Sequence, residues 1–114
     1  MTHYEIMAML AETEIPVAYD HYAEGESPDP PFICFRYPAT DHFSADGRVY
    51  YMIAQVNVEV YTDQKDPELE MRIEQILDAH DVYYEKTEVW IESERLYEVL
   101  YMFETGGNLY AQEE

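Results

Sequence analysis

Gln55-Val56-Asn57-Val58-Glu59-Val60-Tyr61 decides how this chain folds. From Met52 to Val60 every second residue is apolar (Met52, Ala54, Val56, Val58, Val60), and Gln55, Asn57 and Glu59 fall between them. A period of two sends these two sets of side chains to opposite faces of a β-strand, one covered and one polar. Just beyond it, Asp66-Pro67-Glu68-Leu69-Glu70 marks a helix start. Asp66 can cap the helix, and Pro67 suits the first helical position because its missing N–H would be unpaired there. The pattern predicts a long strand over Val49 to Thr62 and a helix from Pro67 to about His80. Leu69, Ile73, Ile76, Leu77 and His80 share one helical face. Glu68 and Glu70 in the first turn, and His80 near the end, suit the helix dipole.

Toward the N-terminus, Thr2-His3-Tyr4-Glu5 has the form of a capping box, and a helix is expected from about His3 to Thr13 with Ile6, Met9 and Leu10 on its apolar face. Ile15-Pro16 ends it, since a residue before proline avoids the helical region. Val17 to Tyr22 reads as a short strand, Gly25 to Pro31 as a proline-rich acidic loop, and Phe32 to Tyr37 as a strand of mostly buried type. Pro38 to Arg48 admits a tight hairpin at Asp46-Gly47, although its length and the central Phe43 suit a long flexible loop better. Toward the C-terminus, Val82 to Glu92 and Arg95 to Glu104 read as two strands joined through Glu92-Ser93-Glu94. The expected fold is α+β: a mostly antiparallel sheet with two helices packed on it, in the order α-β-β-β-α-β-β. Residues 1–104 form the single domain, and 105–114, with two glycines and little apolar content, a flexible tail.

The 114 residues fit one domain with a modest core. Their 47% hydrophobic content and twelve tyrosines favour folding over disorder. Against 25 acidic residues stand 6 basic ones, for a formal net charge of -19. Such a surface disfavours a direct hold on nucleic acid or on anionic membrane. It reads either as a solubility surface or as one past which DNA must slide without sticking. The single cysteine, Cys34, allows no internal disulfide, fits a reducing compartment, and sits in an apolar strand as an inert thiol. With no signal peptide and no membrane span in the sequence, a soluble protein made inside the cell is expected.

Little points to catalysis. His3, His21, His42 and His80 show neither a helical pair at four-residue spacing nor a zinc-type spacing, so no metal is expected. His21, beside Asp20, reads as an exposed strand histidine rather than an acid–base group. Glu92 and Glu94 at a strand turn read as solvated, because general acid work needs a carboxyl pushed up by burial. The four glycines build no phosphate loop, and no Ser-His-Asp arrangement can be argued. The expectation is no enzyme and no cofactor.

The aromatics point to contacts between chains. A small sheet cannot hide twelve phenol rings, and tyrosine is enriched at interfaces. Alternation puts Tyr84, Lys86, Glu88 and Trp90 on one side of their strand, with Val89 and Ile91 on the other. Trp90 is either half-buried under a helix or loop or an interface anchor. The last strand is apolar on both sides, Tyr97, Val99, Tyr101 and Phe103 against Leu96, Leu100 and Met102, as in strands that are central or covered by a partner. Phe43, Tyr50, Trp90, Tyr97, Tyr101 and Phe103 are the candidate contact residues.

This order of elements, with Gln55 to Tyr61, the acidic helix from Asp66 and the stretch Trp90-Ile91-Glu92-Ser93-Glu94-Arg95-Leu96-Tyr97-Glu98-Val99-Leu100-Tyr101, resembles the tail-completion or tail-terminator proteins of long-tailed phages and prophages. The resemblance spans about Thr2 to Glu104. It implies a ring, usually of six subunits, that caps the tail tube in the virion neck and joins tail to head. The implied partners are further copies of the chain, the tail-tube protein and a head-completion or connector protein. In that family the loop corresponding to Pro38 through Arg48 helps build the ring surface, and there are no catalytic residues to carry over. Other expectations are a different head–tail connector component, against which the two helices argue, and an acidic DNA-mimic-type binding protein, which would need its carboxylates on one continuous face.

Overall fold

A computed structural model describes residues 1–45 and 48–111, with the side chains of residues 42–51 outside that description. Helix α1 (His3–Ala11) is followed by strands β1 (Val17–Tyr19), β2 (Phe32–Arg36), β3 (Thr40–Ala45) and β4 (Arg48–Thr62). Helix α2 (Pro67–Ala79) and strands β5 (Glu85–Ile91) and β6 (Leu96–Gly106) complete the fold. The six strands form one sheet in the order β1-β2-β4-β6-β5, with β3 paired to β4. Every pairing is antiparallel except that of β1 with β2. The fold is thus the expected α+β class, and no helix is long and apolar enough to cross a membrane among the described residues.

Local signals place the helices where they are. The Thr2 hydroxyl accepts from the Glu5 N–H at 3.1 Å and the Glu5 carboxylate accepts from the Thr2 N–H at 2.9 Å, a complete capping box. Asp66 caps α2 by accepting from the Leu69 N–H at 3.1 Å. At the other end, the Val82 N–H reaches the Leu77 carbonyl and the Asp81 N–H that of Asp78, both at 3.0 Å, with Asp81 left-handed at φ 58°. This is a Schellman closure in which aspartate occupies the position that favours glycine. His80, expected on the apolar face, is instead the exposed C-cap, and its imidazole meets Glu12 at 2.6 Å. Arg72 adds a second tie between the helices by donating to the Thr13 carbonyl at 3.0 Å.

Two segments depart from expectation. Thr40–Ala45, expected in a flexible loop, is strand β3, antiparallel to β4 with an irregularity between Phe43 and Ser44; residues 46 and 47 lie outside the described residues. The cause is the length of β4. It pairs with β2 only from Asn57 onward and with β6 only from Ile53, so the backbone of residues 48–52 pairs with β3, apart from the Met52 carbonyl, which accepts from the Gly107 N–H at 2.8 Å. A fifteen-residue strand spans about 50 Å, which matches the longest extent of the molecule, 51 Å. The β3–β4 hairpin is therefore an arm projecting past the sheet. The second departure is the tail expected to be flexible. Thr105 and Gly106 continue β6, Leu109 is buried, and the His3 N–H donates to the Leu109 carbonyl at 2.6 Å. The segment is docked because it covers the end of α1; residues 112–114 lie outside the described residues.

Both helices lie on one side of the sheet. Ile6, Met9 and Leu10 of α1 and Leu69, Ile73 and Leu77 of α2 pack on Ile33, Phe35, Val56, Val58, Val60, Val99, Tyr101 and Phe103. Under α2 the core is bordered by an ionic network. Lys86 Nζ lies 2.7 Å from Glu70 and 2.8 Å from Glu74, Lys65 Nζ lies 2.8 Å from Glu70 and also meets Glu88, and the Tyr101 hydroxyl donates to Glu74 at 2.7 Å. Burial opposes the charge on Glu70, but the hydrogen bonds from Lys65 and Lys86 outweigh it and hold the carboxyl below its ordinary range. Glu74 follows the same pattern, with Lys86 and Tyr101 outweighing burial.

Replacing Asp81 by glycine removes the left-handed strain and a negative charge at a helix C-terminus, and should stabilise the fold by about 0.5–1 kcal/mol in urea denaturation. Lys86→Met leaves Glu70 and Glu74 short of a cation and should cost about 2–3 kcal/mol at neutral pH. Because these carboxyls titrate lower in the fold than unfolded, the stabilisation of the wild type is present above the unfolded carboxylate range and lost as pH falls through the folded values. The penalty of Lys86→Met should therefore shrink on acidification.

Candidate interaction surface

Among the described residues the other side of the sheet carries no helix, and register sets its composition row by row. One row runs Phe32, Tyr61, Glu98, Val89; the next Cys34, Glu59, Leu100, Thr87; the next Arg36, Asn57, Met102, Glu85. Gln55 with Glu104 and Leu96 with Ile91 extend it at the two ends. The result is an apolar band on β5 and β6 (Val89, Ile91, Leu96, Leu100, Met102) beside a polar band on β4. Val89 is 52% exposed, and Leu96, Leu100 and Met102 are half-buried.

Two carboxylates on this face differ sharply. Glu59 is only 5% exposed, yet it is well held: Arg36 Nη2 stands 2.8 Å from Oε1, and the Tyr61 hydroxyl donates to Oε2. Glu98, beside it on β6, has no ion-pair partner among the described residues. The Tyr61 hydroxyl has a single proton, and Glu59 takes it. Burial pushes the Glu98 carboxyl above its ordinary value and the Glu59 charge pushes it further, while the nearby Tyr61 hydroxyl and the Arg36 charge pull it down without offsetting them. Burial and Glu59 also push the Cys34 thiol up, so it stays protonated and unreactive.

The six expected contact residues separate into three groups. Phe43 and Tyr50 lie on the arm, in β3 and β4, and their side chains fall outside the described residues. Trp90 and Tyr97 do come together, with ring centroids 4.7 Å apart, on the helix-bearing side where α2 begins. Trp90 is 38% exposed and its indole N–H donates to Glu92 at 2.6 Å, so it sits at the surface rather than under a helix. Tyr101 and Phe103 are corrected: they are 0% and 5% exposed, filling the core beneath the helices, where no partner reaches them. The residues that do make an open surface, Glu98, Leu100 and Met102, belong to the opposite side of the same strand. Its two-sided apolar pattern was their signal.

Two hollows flank this face. One, about 570 Å³, lies beyond the end of β5 between Val82, Tyr83 and Glu85 and the free edge of β6 at Met102, Glu104 and Gly106. The other, about 480 Å³, lies where the proline loop (Pro28, Pro30) meets Phe32, Tyr61 and Leu96. Of the histidines, His3 meets the Tyr37 hydroxyl at 2.7 Å, His21 meets Asp20 at 2.6 Å and His80 meets Glu12, while the His42 side chain is outside the described residues. Among the described residues no three His, Cys, Asp or Glu side chains group as metal ligands. No protein-family model matches the chain, and no curated protein matches it.

Because Glu98 titrates higher in the fold than unfolded, its charge destabilises at neutral pH, and the fold regains that energy as pH drops through its folded value. Glu98→Gln should therefore stabilise the protein at pH 7, by about 0.5 kcal/mol on the scale of a like-charge cross-strand contact. The gain should vanish below about pH 4, where the native carboxyl is also neutral. Paired thermal melts across pH check both signs.

Proposed function

We propose that this chain is a structural subunit that closes on copies of itself, as the tail-terminator or tail-completion ring of a long-tailed phage or prophage. On this reading it is made in the bacterial host cytoplasm and ends in the virion neck, where a ring, six subunits in the family it resembles, caps the tail-tube protein and meets a head-completion or connector protein. It works as a joint, without catalysis or a cofactor.

The observation that carries this reading is the arm. A small one-sided sheet would be complete without residues 40–52, yet β4 continues past its sheet partners by five residues, about 16 Å of extended chain. Such a reach lets one subunit touch its neighbour away from its own core. A contact between two different patches, repeated by rotation, closes a ring. The acidic surface supports the same reading, because a lumen lined with carboxylates repels passing DNA.

Charge also opposes assembly at low salt. Sedimentation velocity across a sodium chloride series should show mass rising with salt, and negative-stain micrographs at high salt should show annular particles. A variant with residues 41–52 replaced by a two-residue turn should stay monomeric, ten residues lighter than the 13.5 kDa chain. Wild-type protein that sediments as a monomer at every salt and concentration would overturn the ring.

A further inference from the structure

We infer that the helix-free face of the sheet is a docking site for a different protein, one that lays apolar side chains on Leu100, Met102 and Val89 and brings a lysine or arginine to Glu98. The site stands apart from the arm and does not rest on the ring.

A sheet buries a face by packing a second layer on it, and here only one face has its layer. Along β6, Leu96, Leu100 and Met102 face this side with Glu98 set between the first two; Leu96 is opposite Ile91 on β5, and Val89, opposite Glu98, lies diagonally from Leu96 and Leu100, so the apolar residues run as one band around Glu98. Single exposed apolar residues are ordinary, but a contiguous band with a polar rim marks an interaction site.

The electrostatic half names the occupant. The band is bordered by Glu59, Glu85, Glu98 and Glu104, with Arg36 the one cation in the same rows. Arg36 is already engaged by Glu59, which leaves Glu98 half-buried beside a like charge. A partner cation placed there gains from both carboxylates at reduced solvent screening. A second copy of this chain offers few cations. Lys65 and Lys86 are held under α2 on the opposite side of the sheet, Arg72 is bonded to the Thr13 carbonyl and Arg36 is paired; Arg95 is exposed in the turn between β5 and β6, and the Arg48 side chain lies outside the described residues. Face-to-face self-pairing would set these acidic rims against each other. The complementary surface is apolar with a basic rim, such as an amphipathic helix that would give the sheet its missing layer.

The test uses the full chain with ¹³C-labelled Leu, Val and Met methyl groups and three synthetic probes: an amphipathic Leu/Lys helical peptide, the same peptide with glutamate for lysine, and oligolysine of equal length. The Leu/Lys peptide should shift the methyl signals of Val89, Leu100 and Met102 and leave the core signals of Leu10 and Leu77 in place. Glu98→Gln and Leu100→Asn should each weaken it about tenfold, with circular dichroism confirming the fold of each variant. Equal binding of the glutamate peptide, or oligolysine binding as tightly as the Leu/Lys peptide, would overturn the inference by removing one half of the recognition. So would methyl shifts confined to other surfaces, a map read on wild-type protein whatever the variants do. Self-association that Leu100→Asn abolishes would give the face to a second copy and overturn it as well.

Discussion

The antiparallel ladder between β4 and β6 carries the rest of the molecule. It runs from Ile53 opposite Gly106 to Thr62 opposite Tyr97 and joins the two longest strands at the centre of the sheet. Its register puts Val56, Val58 and Val60 beside Phe103, Tyr101 and Val99, which is the floor on which both helices sit. The same register sets Tyr61 beside Glu98, Glu59 beside Leu100 and Asn57 beside Met102 on the far side. A slip of one residue would exchange the two faces, drawing Glu98 and Glu104 under the helices and expelling Tyr101. The core and the open face are therefore two consequences of one pairing.

Charge is the second constraint, and it explains where three of the six cations sit. With 6 basic residues against 25 acidic ones, the chain cannot neutralise its carboxylates generally. Lys65 and Lys86 stand where burial makes an unpaired carboxylate most costly, at Glu70 under α2, and Arg36 serves Glu59. Glu98 is left over. Exposed acids such as Glu92 and Glu94 are screened by water and salt and cost little. Glu98 is less well solvated and sits beside a charged neighbour, so its charge costs the fold more than theirs does.

The arm and the open face divide two tasks. The arm is backbone-driven: β3 exists because β4 continues past the sheet and its hydrogen-bonding groups need partners. The open face is side-chain-driven, made by the second set of residues on a strand whose first set is fully used in the core. A subunit with both can contact a like neighbour through one and an unlike protein through the other, as a joint between two assemblies requires.

Much of this was legible in the residues. The alternation from Met52 to Val60, the Thr2 and Glu5 box, the Asp66-Pro67 start and the apolar face of α2 are local signals, and each formed the element it specifies because neighbouring residues satisfy one another's backbone and burial needs. The two-sided pattern of β6 was legible too, but alternation says only that two faces exist, never which one the helices cover. Tyr101 and Phe103 thus stood as contact candidates until packing put them in the core. Strand β3 was illegible because Thr40-Asp41-His42 carries no apolar alternation and is held by its neighbour, and Leu109 gave no sign that it would dock on α1. Periodicity and capping are short-range and can be read along the chain by itself. The choice of covered face, the company of Glu59 and the isolation of Glu98 depend on register between strands far apart in sequence, and only the folded sheet brings those residues into one row.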